Sequence, residues 1–114
     1  MAVLAAEQGE TADMAWHKVA KQDDLADGAV IEVEVGDRQI ALYRVEGALF
    51  ATDNICTHAY ACLHEGYLDG HTIECPLHQG IFDIRNGEPL EGPVDEPLQT
   101  FPVKAEGDEI LVEL

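Results

Sequence analysis

Cys56-Thr57-His58 and Cys75-Pro76-Leu77-His78 each pair one cysteine with one histidine, and the sixteen residues from Ala59 to Glu74 separate the pairs. Thiolate and imidazole donors together make a metal site, and their softness points to zinc, copper or an iron–sulfur centre rather than to calcium or magnesium. Zinc modules most often place two residues within a pair, because that spacing lets both side chains of a tight knuckle reach one tetrahedral ion. Here Thr57 alone separates the first pair. In extended backbone alternate side chains share a side, so Cys56 and His58 can reach one bridging cluster from above. Pro76 fixes φ in the second loop and Gly80 ends it, which suits a rigid clamp. Two readings follow: a zinc-stapled binding module without a redox role, and a [2Fe–2S] centre in which two histidines replace two cysteines on one iron.

The elements that must position these ligands read as β nearly throughout. Val30 to Val35 alternates apolar and acidic residues, and Gly36-Asp37 turns it into a second alternating run, Arg38 to Val45. Glu46-Gly47 turns again into Ala48-Leu49-Phe50-Ala51, whose end delivers the first ligand loop. Asp69-Gly70 joins Gly66-Tyr67-Leu68 to Thr72-Ile73-Glu74, which delivers the second. Asn86-Gly87 turns after Ile81 to Ile84, and Gln99 to Lys104 pairs with Glu109 to Glu113 about Gly107-Asp108. Lys21 to Ala26 suggests one turn of helix. Short strands with glycine turns at close spacing indicate an all-β antiparallel sandwich or partial barrel.

Composition narrows the function classes. A chain of 114 residues has room for one domain, here residues 13–114, with residues 1–12 as a poorly ordered arm. Six basic against 23 acidic residues give a formal charge of −17, which argues against nucleic acid and against an anionic membrane surface. That surplus gives solubility, and it could also steer the chain toward basic patches on transient partners. Met1 to Ala6 is apolar but too short for a signal peptide or membrane span, so a cytoplasmic location is expected.

The CxH pattern, its spacer, and CPxH running into Gln79-Gly80-Ile81-Phe82-Asp83 resemble the Rieske ferredoxins of bacterial aromatic-ring-hydroxylating dioxygenase systems. The resemblance extends through Leu49-Phe50-Ala51-Thr52-Asp53-Asn54 and Phe101-Pro102-Val103, and so covers nearly everything past residue 15. It implies the Rieske fold, three stacked antiparallel sheets with a small cluster-binding lobe at about 54–82. It implies one [2Fe–2S] cluster held by Cys56, His58, Cys75 and His78, with the outer edges of the two histidines facing a partner. The role implied is not enzymatic. The chain would be a one-electron carrier, loaded by an NAD(P)H-dependent flavoprotein ferredoxin reductase and discharged by a terminal aromatic-ring-hydroxylating oxygenase. A weaker resemblance leads to the Rieske-like small subunit of a nitrite reductase, although relatives of that kind often lack the ligands retained here.

Two imidazoles in place of thiolates make the centre less negative, so it accepts an electron more easily than an all-cysteine cluster does. High-potential relatives add a disulfide and hydroxyl donors around the second loop. Leu77, Gly80 and Phe82 stand at those positions here, which implies the low-potential subtype. Other residues carry less. His64 reads as a solvated loop histidine that could extend a docking rim, His71 and His17 as structural or surface histidines, and Cys62 as a small packed residue. Tyr60 could shield the cluster, Gly92-Pro93 resembles a covering loop, and Asp83 could pair with Arg85.

Overall fold

A computed structural model describes residues 15–57, 61–77, 79–92 and 96–114. The arm expected at 1–12 lies outside the described residues, as do Tyr60 and Pro93. The strands are β1 (Trp16–Lys21), β2 (Val30–Val35), β3 (Arg38–Val45), β4 (Ala48–Asp53), β5 (Tyr67–Asp69), β6 (Thr72–Glu74), β7 (Ile81–Asp83), β8 (Pro89–Glu91), β9 (Val103–Glu106) and β10 (Glu109–Glu113). They form three antiparallel sheets in the orders β1-β10-β9, β2-β3-β4 and β5-β6-β7-β8.

β3 organises the stack because both its faces are covered. Ala41, Tyr43 and Val45 enter one apolar cluster with Cys56, Ala61, Leu63, Ile73, Cys75, Phe82, Ile84 and Leu98, on the side of the four-stranded sheet. Ile40 and Leu42 enter another with Leu25, Ala51, Phe101, Ile110 and Val112, toward the β1-β10-β9 sheet. Alternate residues of a strand face opposite ways, so one continuous apolar run serves two cores. Tyr43 brings a hydroxyl inside and satisfies it on the Thr52 hydroxyl at 2.9 Å; burial pushes the phenol well above its ordinary pKa.

Several expected boundaries shift for local reasons. β4 runs two residues further than the apolar pattern, because Thr52 and Asp53 continue the ladder opposite Ala41 and Ile40. The last hairpin starts at Val103 rather than Gln99: Pro102 has no N–H to donate, and Thr100 makes only an isolated bridge to Thr52. β8 was not foreseen, since Pro89-Leu90-Glu91 is short and carries a proline, which an edge strand tolerates. The helical turn shrinks to a 3-10 turn at Gln22–Asp24, where the Asp24 carboxylate accepts from the Lys21 N–H at 3.0 Å. Among the described residues no helix is long and apolar enough to cross a membrane.

Candidate metal centre

The first ligand loop leaves β4 and returns through a 3-10 turn at Leu63–Glu65. Asn54 closes it. Its N–H donates to the Gln39 carbonyl at 3.0 Å and its carbonyl accepts from the Leu63 N–H at 2.7 Å. Its side-chain oxygen accepts from the His64 N–H at 2.9 Å, which orients the amide. Nδ2 then donates to the Glu32 carboxylate at 2.9 Å and meets His64 Nδ1 at 3.0 Å. Because Nδ2 can only donate, neutral His64 accepts at Nδ1 and carries its proton on Nε2. Asn54 is fully buried, and its polar groups are all paired. Within the loop the Cys56 N–H donates to the Ala61 carbonyl at 2.9 Å, and Ile55 bridges Cys62, so Cys56 sits on a miniature hairpin.

The second loop is tied by backbone. The Cys75 N–H donates to the Gly80 carbonyl at 2.7 Å, continuing the pairing of β6 with β7. Gln79 turns the chain back at φ 59°, a left-handed conformation unusual for a residue with a Cβ. Gly92 lies so close behind that a Cβ there would stand 2.9 Å from the Gly80 Cα. A third segment reaches the first loop, where the Thr57 hydroxyl donates to the Glu96 carbonyl at 2.9 Å.

These two loops bring Cys56 and Cys75 together. Both are buried in the apolar cluster that holds Leu63, Ile73 and Phe82, and their thiols are within hydrogen-bonding reach of each other. Burial pushes the Cys75 thiol up to about 11, with the Leu77 N–H on its sulfur acting the other way and Cys56 adding to the rise. A cationic centre would draw off the thiol protons, and a backbone N–H already points at the Cys75 sulfur. The donor chemistry fits an iron–sulfur cluster. His58 and His78, the other two expected ligands, lie outside the described residues.

The wider comparison identifies the lineage. Residues 15–102 match the Rieske [2Fe-2S] domain. The chain belongs to the Rieske family. Membership brings a Rieske-type [2Fe–2S] cluster and displaces the zinc-stapled reading. The chain is 44% identical over 99 residues to the ferredoxin component of the naphthalene 1,2-dioxygenase/salicylate 5-hydroxylase systems of a Ralstonia species, covering 87% of this chain and 95% of that one. The Sphingomonas yanoikuyae B1 ferredoxin superposes with a TM-score of 0.83 at 36% identity, over 88% of this Rieske chain and 99% of the other. A chain in a complex of reduced oxygenase and oxidised ferredoxin of carbazole 1,9a-dioxygenase gives 0.80 at 41% identity, over 85% and 91%. A putative NADH-dependent nitrite reductase small subunit from Mycobacterium tuberculosis, at 21% identity, TM-score 0.77 and 89% and 96% coverage, shows the shared fold alone.

Other expectations meet the structure unevenly. His64 is not a freely solvated loop histidine; it is half-buried and held by Asn54. Cys62 is half-buried and faces Glu32 and His64. His71 is structural, its ring edge-on to Phe50 with centroids 5.6 Å apart. Asp83 and Arg85 do pair, through two side-chain bonds at 3.0 and 2.9 Å, and the guanidinium holds the Asp83 carboxyl below the usual carboxylate range. Phe82 is fully buried beside the ligand loops, and Leu77 is partly exposed. Sequence reasoning missed Asn54 as the closing residue of the first loop; its only signal is an amide at the end of a strand two residues before Cys56.

Proposed function

We propose that this chain is a cytoplasmic one-electron carrier in an aromatic-ring-hydroxylating dioxygenase system, with its cluster held by Cys56, His58, Cys75 and His78. The observation that carries the ligand set is the adjacency of the buried Cys56 and Cys75 thiols, each on a loop whose histidine follows within three residues. When bound, the cluster supplies reversible one-electron storage. The protein around it does the rest. Ile73, Phe82 and Leu63 pack around the two thiols and keep water from them. The donor is an NAD(P)H-dependent flavoprotein reductase and the acceptor a terminal oxygenase; the solved complex of a related ferredoxin with its oxygenase supports the second.

Charge supports the mode of encounter. Between Arg44 and Arg85 the sequence has no lysine or arginine, while Glu46, Asp53, Glu65, Asp69, Glu74 and Asp83 fall in that interval. A lobe of one sign suits fast, salt-sensitive encounter with basic docking faces more than tight binding. Phe82 and Gly80 offer no side-chain donor near the second loop, which supports a potential at the low end of the Rieske range. The test is reconstitution. Purified holoprotein should be required for NAD(P)H-driven turnover by a reductase and a ring-hydroxylating oxygenase, and the rate should fall as salt rises. Turnover that proceeds equally well without the chain contradicts the proposal.

A further inference from the structure

Glu32, Cys62 and His64 converge behind the first ligand loop, outside the four cluster ligands. One carboxylate oxygen, the Cys62 sulfur and one His64 ring nitrogen all lie within 4.8 Å of one another, and all three residues are half-buried. Glu32 comes from β2, and Cys62 and His64 from the return arm of the loop, so two elements supply the donors. We propose that these residues form a second metal site, for a thiophilic divalent cation of the zinc class, with water completing the coordination.

The donor set selects that class. A thiolate and an imidazole exclude calcium and magnesium, while one sulfur, one nitrogen and one oxygen fit zinc, whose bonds to such atoms are about 2.0–2.3 Å. A tetrahedral ion with those bonds needs donors about 3.3–3.8 Å apart, so donors within 4.8 Å of one another need to close by at most about 1.5 Å, a small side-chain adjustment. The Asn54 amide has already arranged two of the three. Its Nδ2 lies 2.9 Å from the Glu32 carboxylate and 3.0 Å from His64 Nδ1, the partially positive group that now answers both lone pairs. The tautomer it selects leaves Nδ1 as the basic nitrogen. An ion taking that lone pair displaces one amide hydrogen and leaves the other on Glu32, an outer contact of the kind that orients metal ligands.

Electrostatics favour the exchange. Burial raises the Cys62 thiol pKa, and the negative charges of Glu32 and Glu65 raise it further, so the cluster stands in a negative field that a dication relieves. The step is ligand exchange without redox change: the sulfur–metal bond forms as the sulfur–hydrogen bond breaks, and the proton passes to solvent.

The experiment uses cluster-loaded holoprotein, in which the four cluster ligands are occupied. Zinc is added, excess is removed by gel filtration, and iron and zinc are counted while the visible spectrum monitors the cluster. One zinc per chain should be retained beside the undiminished iron, with about one proton released per ion in weak buffer. Cys62→Ser should abolish retention with the spectrum unchanged, and Glu32→Gln, on β2 and still able to accept from Asn54, should weaken it about tenfold or more. No retained zinc, or retention unaffected by Cys62→Ser, overturns the proposal. A colourless preparation without iron would instead count against the cluster assignment, so the two failures are distinct.

Discussion

Around Cys56 the chain closes its loop with a side chain, whereas around Cys75 it closes with backbone and close approach. Asn54 spends its amide on His64 and Glu32 to fix the first loop. The second is a hairpin loop fastened by the Cys75–Gly80 bond, turned by a left-handed Gln79 and backed by Gly92. The difference follows from length. The first loop must return over ten residues from Asn54 to His64 with few ladder bonds, so a buried amide supplies what the backbone lacks. The second spans only Cys75 to Gly80 and inherits its geometry from β6 and β7. A loop held by an amide is vulnerable to loss of chemistry; one held by contact is vulnerable to added bulk.

Gly66 tests both at once, because it follows the first loop and touches the strand residue preceding Cys75. A Cβ at Gly66 would collide with the Glu74 carbonyl, which is backbone and cannot swing aside. Gly66→Ala should therefore have the largest effect, about 3 kcal/mol of lost stability in chemical denaturation, with weaker cluster retention. Asn54→Ala should follow at about 2 kcal/mol, since it leaves the half-buried His64 N–H without its acceptor and Glu32 without its donor. Its signature should lie in the first loop, as changed amide exchange at Leu63 and His64 with the β6–β7 hairpin undisturbed. Gly92→Ala should cost about 2 kcal/mol, through a φ of 84° that disfavours a Cβ and contact with Gly80. That change should shift the EPR spectrum of the reduced cluster while leaving Leu63 and His64 as they were. If Asn54→Ala and Gly92→Ala disturb the same loop, the division between the two is wrong.

The smallest effect is at the exit of the second loop. Arg85 lowers the Asp83 pKa, so the pair's stabilisation is fully present above the ordinary carboxylate pKa and is lost as pH falls through the depressed folded value. Arg85→Ala should move the Asp83 titration, followed by NMR, to higher pH, and its small loss of stability should be present at neutral pH and vanish in acid, where the pair is already broken.

Legibility in the sequence divides along similar lines. The hairpins about Gly36, Gly47, Gly70 and Gly107 and the all-β class could be read because spacing and turn chemistry are local. β3 read as an alternating half-buried strand, but its second face is covered by a sheet built from the two ends of the described chain, which no local pattern announces. Asn54 stayed hidden for the same reason: its partners Glu32, Gln39 and His64 come from β2, β3 and the returning loop. His64 and Cys62 read as incidental because their significance lies in Glu32, thirty residues or so before them in the chain.

The central claim is that two thiolates and two imidazoles share one low-potential cluster, and a potentiometric titration of the purified holoprotein tests it most directly. The account predicts a midpoint near the low end of the Rieske range, about −150 mV. A value near about −400 mV, as for plant-type all-cysteine clusters, would contradict the histidine ligands, and one approaching about +300 mV would contradict the low-potential assignment.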